Sequence, residues 1–280
     1  MLEPTMYLLP PGSDAEISCE NITSHFTFLG DDSDPLLTNT YGTDDGLDGA
    51  AYAFQERAQN VINAKFMLRF SDWYDYQMKK HTLAKFFSQK GLYRIRTDAE
   101  PAIVKYVYAG NFTVAPTEDG SNTALITIPF DNPSGLKYSL GYSDDLMDYD
   151  SGLWQMGMNL PMNQSLQYEY NATRSFQIYN ASDITVDPIQ HHDLQIIVKN
   201  TTGQVRIENT TTGNYVAYNG TLTTTDQLVW DGVNLYLNGS LANNSTDFTY
   251  LTLAPGYNDI KIISTADLDI DFHFRFIYLN

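Results

Sequence analysis

The sequence predicts a mainly β protein, with an N-terminal β-rich domain that contains one α-helix and a C-terminal β-sandwich. Three observations lead to this fold class. Short runs of alternating apolar and polar residues recur along the chain, one stretch of the first half has a helical period, and turn residues recur about every ten residues in the second half. We predict domains at 1–135 and 151–280. Between them, at 136–150, we predict a linker, because the hydrophobic period is lost there and aspartates accumulate.

The first domain contains a strand candidate at 25–29 and a longer one at 57–70. In the longer run the apolar residues occupy every second position, which predicts a half-buried strand. Strand-like runs follow at 93–96, 103–108, 111–115 and 124–130. The apolar positions of the 57–70 run are Ile62, Ala64, Phe66, Leu68 and Phe70.

One amphipathic helix is predicted at 72–90. Its apolar residues are spaced for one helical face, Asp72 with Asp75 three residues later provides an N-terminal cap, and Gly91 lies where the helix should end. The residues of the predicted buried face are Tyr76, Leu83, Phe86 and Phe87.

Residues 30–49 are predicted to form a long arm or loop. The segment is dominated by Asp, Gly, Ser, Thr and Pro, a composition that favours turns and cannot bury enough apolar surface to become ordered alone. Loops of this length usually have a function, such as contact with a partner. The candidate residues for an inter-subunit contact are Asp31, Asp34, Leu36, Tyr41, Asp44 and Asp48.

The second domain is predicted to contain only strands, at 175–179, 193–198, 204–208, 215–218, 228–230, 234–237, 248–253, 259–263 and 269–278. The last run alternates so that one side is apolar and the other polar. Its predicted core residues are Ile270, Phe272, Phe274, Phe276 and Tyr278. Its predicted solvent- or partner-facing residues are Asp269, Asp271, His273 and Arg275.

Composition and motifs argue against several functions. The formal net charge of −18 repels polyphosphate, so we expect no specific nucleic-acid binding.

The start of the sequence lacks a basic stretch followed by an apolar core, so no secretory leader is expected. Apolar runs are too short to cross a bilayer, so no membrane insertion is expected. No nucleophile elbow, P-loop, zinc-binding helix or dinucleotide fingerprint is present, so we expect neither an enzyme nor a cofactor.

The residues that could form a metal site or a carbohydrate site also have simpler interpretations. His191 and His192 are adjacent, so in an extended segment they point to opposite faces, and the aspartates of 31–48 lack the spacing of a calcium loop. We therefore predict no metal site. A carbohydrate-binding surface is the alternative function, with Trp230 as its candidate stacking ring. The competing interpretation is that Trp230 is a core residue on the same face as Leu228.

The order of several segments resembles the distal tail protein family of siphophages that infect Gram-positive hosts. In the first domain these are the helix with Leu83-Ala84-Lys85-Phe86-Phe87 and the turn Asp98-Ala99-Glu100-Pro101. In the second they are Ile207-Glu208-Asn209-Thr210-Thr211-Thr212-Gly213, Trp230-Asp231-Gly232, Asn238-Gly239, Leu253-Ala254-Pro255-Gly256-Tyr257-Asn258 and the terminal aromatic run.

The resemblance implies a structural subunit of the virion tail tip, assembled in the host cytoplasm. Its first domain is expected to form a ring, commonly a hexamer, and its second to be a galectin-like sandwich. The implied partners are further copies of the chain, the tail-tube protein, a tail-tip hub or tail-associated lysin-like protein, and a receptor-binding protein. DNA would pass through the ring without specific binding. The sugar-binding residues of true galectins are absent, so the shape does not carry the activity.

Overall fold

The computed structural model describes residues 4–43, 48–161 and 164–279. The chain divides into two compact units, of which the first comprises the residues up to Lys137 together with Leu279, and the second comprises Tyr138–Tyr278. Within the described ranges the chain is mainly β with one α-helix, which confirms the predicted fold class.

The first unit is built around an antiparallel sheet. Its elements are β1 (Met6–Leu9), β2 (Ile17–Ser18), a 3-10 turn (Cys19–Asn21), β3 (Phe26–Asp32), β4 (Leu37–Gly42), β5 (Ala51–Arg57), β6 (Asn60–Arg69), α1 (Trp73–Phe87), β7 (Tyr93–Thr97), β8 (Ile103–Ala109) and β9 (Thr123–Asn132). The strand order of the sheet is β2-β1-β7-β8-β9-β6-β3. Strands β4 and β5 form a separate two-stranded sheet.

Strand β6 contributes one whole face to the first core. Its even-numbered residues are buried and most of its odd-numbered residues are exposed, as the alternation predicts. Phe66 stacks on Phe26 of β3 with ring centroids 4.6 Å apart. The long strand prediction is therefore confirmed, although β6 begins at Asn60 and the residues before Arg57 belong to a strand that was not predicted.

Helix α1 packs against this core through Tyr76, Leu83 and Phe87, as predicted. The Asp72 carboxylate accepts a hydrogen bond from the Asp75 backbone N–H at 2.9 Å, so the predicted cap is formed. The segment 111–115 was predicted to be a strand and is not one. Its Val114 carbonyl accepts a hydrogen bond from the Tyr76 hydroxyl at 2.7 Å, so the segment is held by the helix.

The second unit is a β-sandwich. The remaining strands are β10 (Lys137–Ser139), β11 (Glu169–Asn171), β12 (Ser175–Asn180), β13 (Gln195–Lys199), β14 (Gly203–Asn209), β15 (Asn214–Leu222), β16 (Leu228–Asp231), β17 (Asn234–Leu237), β18 (Ser240–Leu241), β19 (Gly256–Ser264), β20 (Asp269–His273) and β21 (Ile277–Tyr278). One sheet of the sandwich has the order β11-β20-β13-β16-β17-β18 and the other has the order β12-β19-β14-β15. Short 3-10 turns lie at Tyr149–Ser151, Pro188–Gln190 and Asn243–Ser245.

One predicted strand of the second unit is not formed as a continuous element. In the segment 248–253, Phe248 is exposed and has a φ of 53°, a left-handed conformation that interrupts an extended strand. Only Leu253 pairs in this segment, in an isolated bridge with Val186. The other predicted strands of the sandwich correspond to observed strands with shifts of a few residues at their ends.

The terminal run 269–278 is divided into β20 and β21, with residues 274–276 between them. Phe274 and Phe276 are fully buried, as predicted. The backbone N–H of Phe274 donates to the Ser143 hydroxyl at 3.1 Å, and that of Phe276 donates to the Ser139 hydroxyl at 3.0 Å. Residues 139–143 thus run beside the terminal segment.

Two predictions about this region need correction. Arg275 was predicted to face solvent or a partner, but only 7% of it is exposed, and its guanidinium Nη1 donates to the carbonyl oxygens of Ser139 and Leu140. The segment 136–150, predicted as a linker, supplies Ser139 and Ser143 to the interior of the second unit. Both corrections have the same physical cause. Buried polar groups need hydrogen-bond partners, and residues 139–143 and the terminal run provide these partners for each other.

Candidate assembly surface

The structural feature that extends from the first unit is the hairpin of β4 and β5, which we call the arm (residues 33–59). Leu37 pairs with Arg57 at one end and Gly42 with Ala51 at the other, with a register shift between Thr40 and Tyr41. Within the described part of the chain, these two strands pair only with each other. Residues 44–47, including the predicted contact residue Asp44, lie outside the described residues.

The arm exposes large apolar side chains. Tyr41 lies opposite Tyr52, with the two rings edge to face at 6.2 Å, and Phe54 shares the face of Tyr52 because it lies two residues further along the strand. We call these three residues the aromatic face of the arm. The large apolar residues of the arm that are each more than half exposed are Leu36, Leu37, Tyr41, Tyr52 and Phe54.

A hairpin with this exposure is not stabilised by its own core. An isolated two-stranded hairpin is marginally stable in water, and contiguous exposed apolar side chains mark interaction surfaces. The arm therefore has the chemistry of a segment that is covered by another protein surface.

The base of the arm is fixed to the body of the first unit. Gly30 has a φ of 134° and follows a register shift in β3, after which Asp31 and Asp32 still pair with β6. The Asp31 carboxylate lies 3.3 Å from the Lys105 ammonium, and Asp32 pairs with Lys65. The Ala58 N–H donates to the Leu36 carbonyl at 2.9 Å. The root of the arm is thus held in place while its far end is exposed.

The predicted contact residues fall into three groups. Asp31 belongs to β3 opposite Ala64, so it anchors the arm instead of lying on it. Asp34, Leu36, Tyr41 and Asp48 are on the arm and none of them is buried. Asp44 lies outside the described residues.

Leu37, Tyr52 and Phe54 were not among the predicted contact residues, and the segment predicted to be a loop forms a hairpin. The alternation of Tyr52 and Phe54 with small and polar residues was the available signal.

Trp230, the candidate sugar-stacking residue, lies in β16 opposite Ile196 and Leu235. Only 5% of it is exposed, which agrees with the core interpretation and leaves no ring face for stacking on a sugar.

The predicted absence of a metal site concerns His192 first. His192 accepts a hydrogen bond from the Asp187 N–H at 3.1 Å and so stabilises the turn that contains Pro188. Among the described residues, no three His, Cys, Asp or Glu side chains are grouped to hold a metal ion. In the same residues, no helix has the length and apolar character needed to span a membrane.

Two family models match the chain. Residues 17–132 match the phage tail protein RIFT-related domain, and residues 191–276 match the C-terminal domain of the siphovirus-type tail component. The chain belongs to the siphophage distal tail protein family. This confirms the resemblance found in the sequence, and it identifies the protein as a phage tail component.

A solved phage protein shares the fold of this chain. The Dit (gp 19.1) protein of phage SPP1, described as a paradigm of the hub adsorption apparatus in phages that infect Gram-positive bacteria, is 12% identical, with a TM-score of 0.70 over 97% of this chain and 99% of that chain. Chains of the phage p2 baseplate in its activated conformation, with Sr and with Ca, are each 11% identical with TM-scores of 0.46. The match to the structure with Sr covers 97% of this chain and 97% of that chain, and the match to the structure with Ca covers 98% of each. No curated protein sequence matches.

Proposed function

We propose that this protein is a non-enzymatic structural subunit that forms a closed ring joining the tail tube to the tail-tip hub. The observation that carries this proposal is the arm, whose aromatic face is exposed in the single subunit. A ring requires two different surfaces on each copy, because every interface joins one surface of a subunit to another surface of the next. The arm provides one of them.

The two units would have separate roles. The first unit, close to the predicted domain 1–135, would form the ring, which in this family is commonly a hexamer. The second, close to the predicted domain 151–280, would be a galectin-like sandwich that faces outward. The remaining partners would be the tail-tube protein, a hub or tail-associated lysin-like protein, and a receptor-binding protein. The excess of acidic residues would let DNA slide through the channel without capture.

The ring is tested by electron microscopy and solution mass measurement of the purified protein, which should show closed rings. Deleting the arm should yield monomers, and an unchanged oligomer would contradict the role of the arm.

A finer test uses the two faces of the same hairpin. Replacing Tyr52 and Phe54 with Ser should weaken assembly strongly, because it removes the aromatic face. The matched control replaces Asn39 and Gln55, which hydrogen-bond each other across the hairpin at 2.8 Å, with Ser. The control should retain the oligomer. Equal loss in both variants would show that the aromatic face has no special role.

A second candidate function, carbohydrate binding by the virion, is favoured by one observation. The second unit contains a cavity of about 900 Å³ whose lining includes Asp145, Tyr149 and Gln167. Carboxylates, amides and a half-exposed tyrosine ring are suited to sugar hydroxyls and sugar faces. Monomers that bind glycans on an array would favour this function over the ring.

A further inference from the structure

The cavity of the second unit is lined by the edge strand β11 and by exposed apolar side chains. One group of lining residues comes from 143–149, and another comes from 167–171. Leu146 is 78% exposed and Tyr149 is half exposed. Trp154, which also lines the cavity, is buried and donates from its indole Nε1 to the Leu146 carbonyl at 2.9 Å. The cavity therefore offers apolar surface that this unit does not cover itself.

Strand β11 has one paired edge and one open edge. It pairs with β20, and no other strand in the described part of the chain pairs with it. The Phe272 N–H donates to the Tyr168 carbonyl at 2.9 Å, so the backbone groups of the even-numbered residues here face β20. The backbone groups of Glu169 and Asn171 therefore face away from β20, and both residues line the cavity.

The outward carbonyls of β11 are held by local side chains. The Glu169 carbonyl accepts from Gln167 Nε2 at 2.6 Å, and the Asn171 carbonyl accepts from the Thr173 hydroxyl at 3.0 Å. Both donors belong to side chains near the surface, so an incoming backbone N–H can replace them at small cost.

The other edge strands of the sandwich are covered or very short. Two carbonyls of β12 accept hydrogen bonds from the hydroxyls of Tyr168 and Tyr170, at 2.6 and 2.7 Å. Along β15, Tyr218 forms a bridge with Thr246. Strand β18 has only two residues. Of the four edge strands in the described sandwich, β11 is thus the one whose open edge borders a large cavity, and open edges accept further strands.

The charge of the cavity selects the kind of segment that fits. Asp144, Asp145 and Glu169 line it, and its described lining contains no Lys, Arg or His. The Asp144 carboxylate lies 2.7 Å from His273 Nδ1, and the Asp145 carboxylate accepts from the Tyr142 N–H at 2.7 Å. Both carboxylates are therefore fixed in place. A cationic ligand is complementary to this lining, whereas an anionic one is repelled.

We infer that this cavity binds an extended segment of another protein that carries both basic and apolar side chains. The segment adds to β11 as a further strand, through the outward backbone groups of Glu169 and Asn171. Its apolar side chains pack on Leu146 and Tyr149, and its basic side chains lie near the carboxylates of the lining. The backbone provides affinity and the side chains provide specificity.

A peptide fits the cavity better than a saccharide does. A saccharide has no peptide backbone to pair with β11. Trp154 and Tyr168 are buried, so Tyr149 alone among the described aromatic rings of the lining has a face open to a sugar. The inference concerns the second unit only, so it does not rest on the proposed ring.

Peptide binding to the full-length protein tests the inference. The probe is a fluorescently labelled ten-residue peptide of alternating Lys and Val, and its binding is measured by anisotropy. Two control peptides alternate Glu with Val and Lys with Ser. We expect the Lys-Val peptide to bind at least about tenfold more tightly than either control, because only this peptide has both the charge and the apolar side chains.

Matched variants distinguish the cavity from the acidic surface in general. Leu146→Ser should raise the Kd of the Lys-Val peptide by about tenfold, whereas Ile263→Ser, at an exposed apolar position of β19, should change it by less than about twofold. Glu169→Gln should raise the Kd by about threefold. Glu118→Gln removes the same charge at an exposed position of the first unit and should leave the Kd unchanged.

A proline substitution tests the addition of a strand. Asn171→Pro removes an outward N–H and leaves the pairing with β20, so it should abolish binding. Asn171→Ala keeps that N–H and should bind the peptide as the wild type does. Urea unfolding checks that both variants are folded. Equal binding by two folded variants would contradict the pairing, and if Asn171→Pro does not fold, the Leu146 and Glu169 comparisons decide.

The remaining outcomes separate this inference from the proposed functions. Equal binding of the Lys-Val and Lys-Ser peptides, or binding that Leu146→Ser does not weaken, would overturn the site. Glycan binding on an array without binding of the Lys-Val peptide would overturn the inference and favour the carbohydrate function. Rings in electron micrographs depend on neither result, so the ring and this site can fail independently.

Discussion

Arg275 shows how a single residue can depart from the pattern around it. Alternation places it on the outer side of the terminal run, yet its guanidinium is buried. The guanidinium donates to the carbonyl oxygens of Ser139 and Leu140 at 2.7 and 2.6 Å. It also stacks on the Tyr142 ring, 4.0 Å from the ring centroid. The side chain therefore joins residues 139–142 to the end of the sandwich. A strand pattern cannot reveal this contact, because the carbonyls come from a segment more than 130 residues earlier.

Replacing Arg275 with Met should lower the free energy of unfolding of the second unit by about 2–3 kcal/mol. The aliphatic part is kept, but two buried carbonyls lose a charged donor. Urea denaturation followed by tryptophan fluorescence measures the change. Lys261→Met, at an exposed position of β19, is the control and should change the free energy by less than about 0.5 kcal/mol. Equal stabilities of the two variants would show that the buried hydrogen bonds contribute nothing.

Glu16 links two arginines of β7. Its carboxylate oxygens lie 2.9 Å from Arg94 Nη2 and 2.7 Å from Arg96 Nη2. Burial raises the pKa of Glu16, but the hydrogen bonds and positive charges of Arg96 and Arg94 outweigh it and hold the pKa below the ordinary glutamate value. Because the pKa is lower in the folded than in the unfolded chain, the ionised carboxylate stabilises the fold above the ordinary value. That contribution is lost as the pH falls through the folded pKa.

Glu16→Gln should therefore lower the free energy of unfolding at neutral pH by about 1.5–3 kcal/mol. The difference between variant and wild type should begin to shrink as the pH falls below the ordinary glutamate pKa and should disappear once the pH has passed below the lower pKa of the folded chain, where the wild-type carboxylate is protonated. Urea denaturation across this pH range measures both effects. Glu118→Gln, at an exposed loop position, should change stability by less than about 0.5 kcal/mol throughout. A difference that stays constant with pH would exclude the charge as its source.

At the scale of elements, those with a strong local pattern were predicted from the sequence. Strand β6 and helix α1 each bury one face of a regular pattern, so periodicity alone located them. The segments 111–115 and 248–253 carry strand-like residues but pair with no continuous partner, because strand formation depends on which chain lies alongside. Residues 30–49 were predicted from their composition to be a partner-contacting arm or loop. The hairpin and the strand that carries Tyr52 and Phe54 were missed, because so short an alternating run is a weak strand signal.

The cap of α1 offers a test at this scale. The Asp72 side chain accepts from the Asp75 N–H, and the Asp75 carboxylate accepts in turn from the Ser71 N–H at 2.9 Å. Asp72→Ala should destabilise the first unit by about 1 kcal/mol, because a helix N–H loses its acceptor. Asp72→Asn keeps an acceptor oxygen and should cost clearly less. Thermal unfolding followed by circular dichroism compares the two variants, and equal losses would contradict the capping role.

At the scale of the whole molecule, the second unit should fold without the first. The segment 138–278 contains both sheets of the sandwich, and the buried residues Ile196, Ile207 and Phe272 belong to its own core. We expect this segment, produced alone, to be a compact β protein with a cooperative urea transition. Arg275→Met should destabilise it by the same amount as in the full chain, because the donor and both acceptor carbonyls lie inside the segment. A segment without a cooperative transition would mean that the sandwich needs the first unit to fold, and assembly and outward display could then not be assigned to separate units.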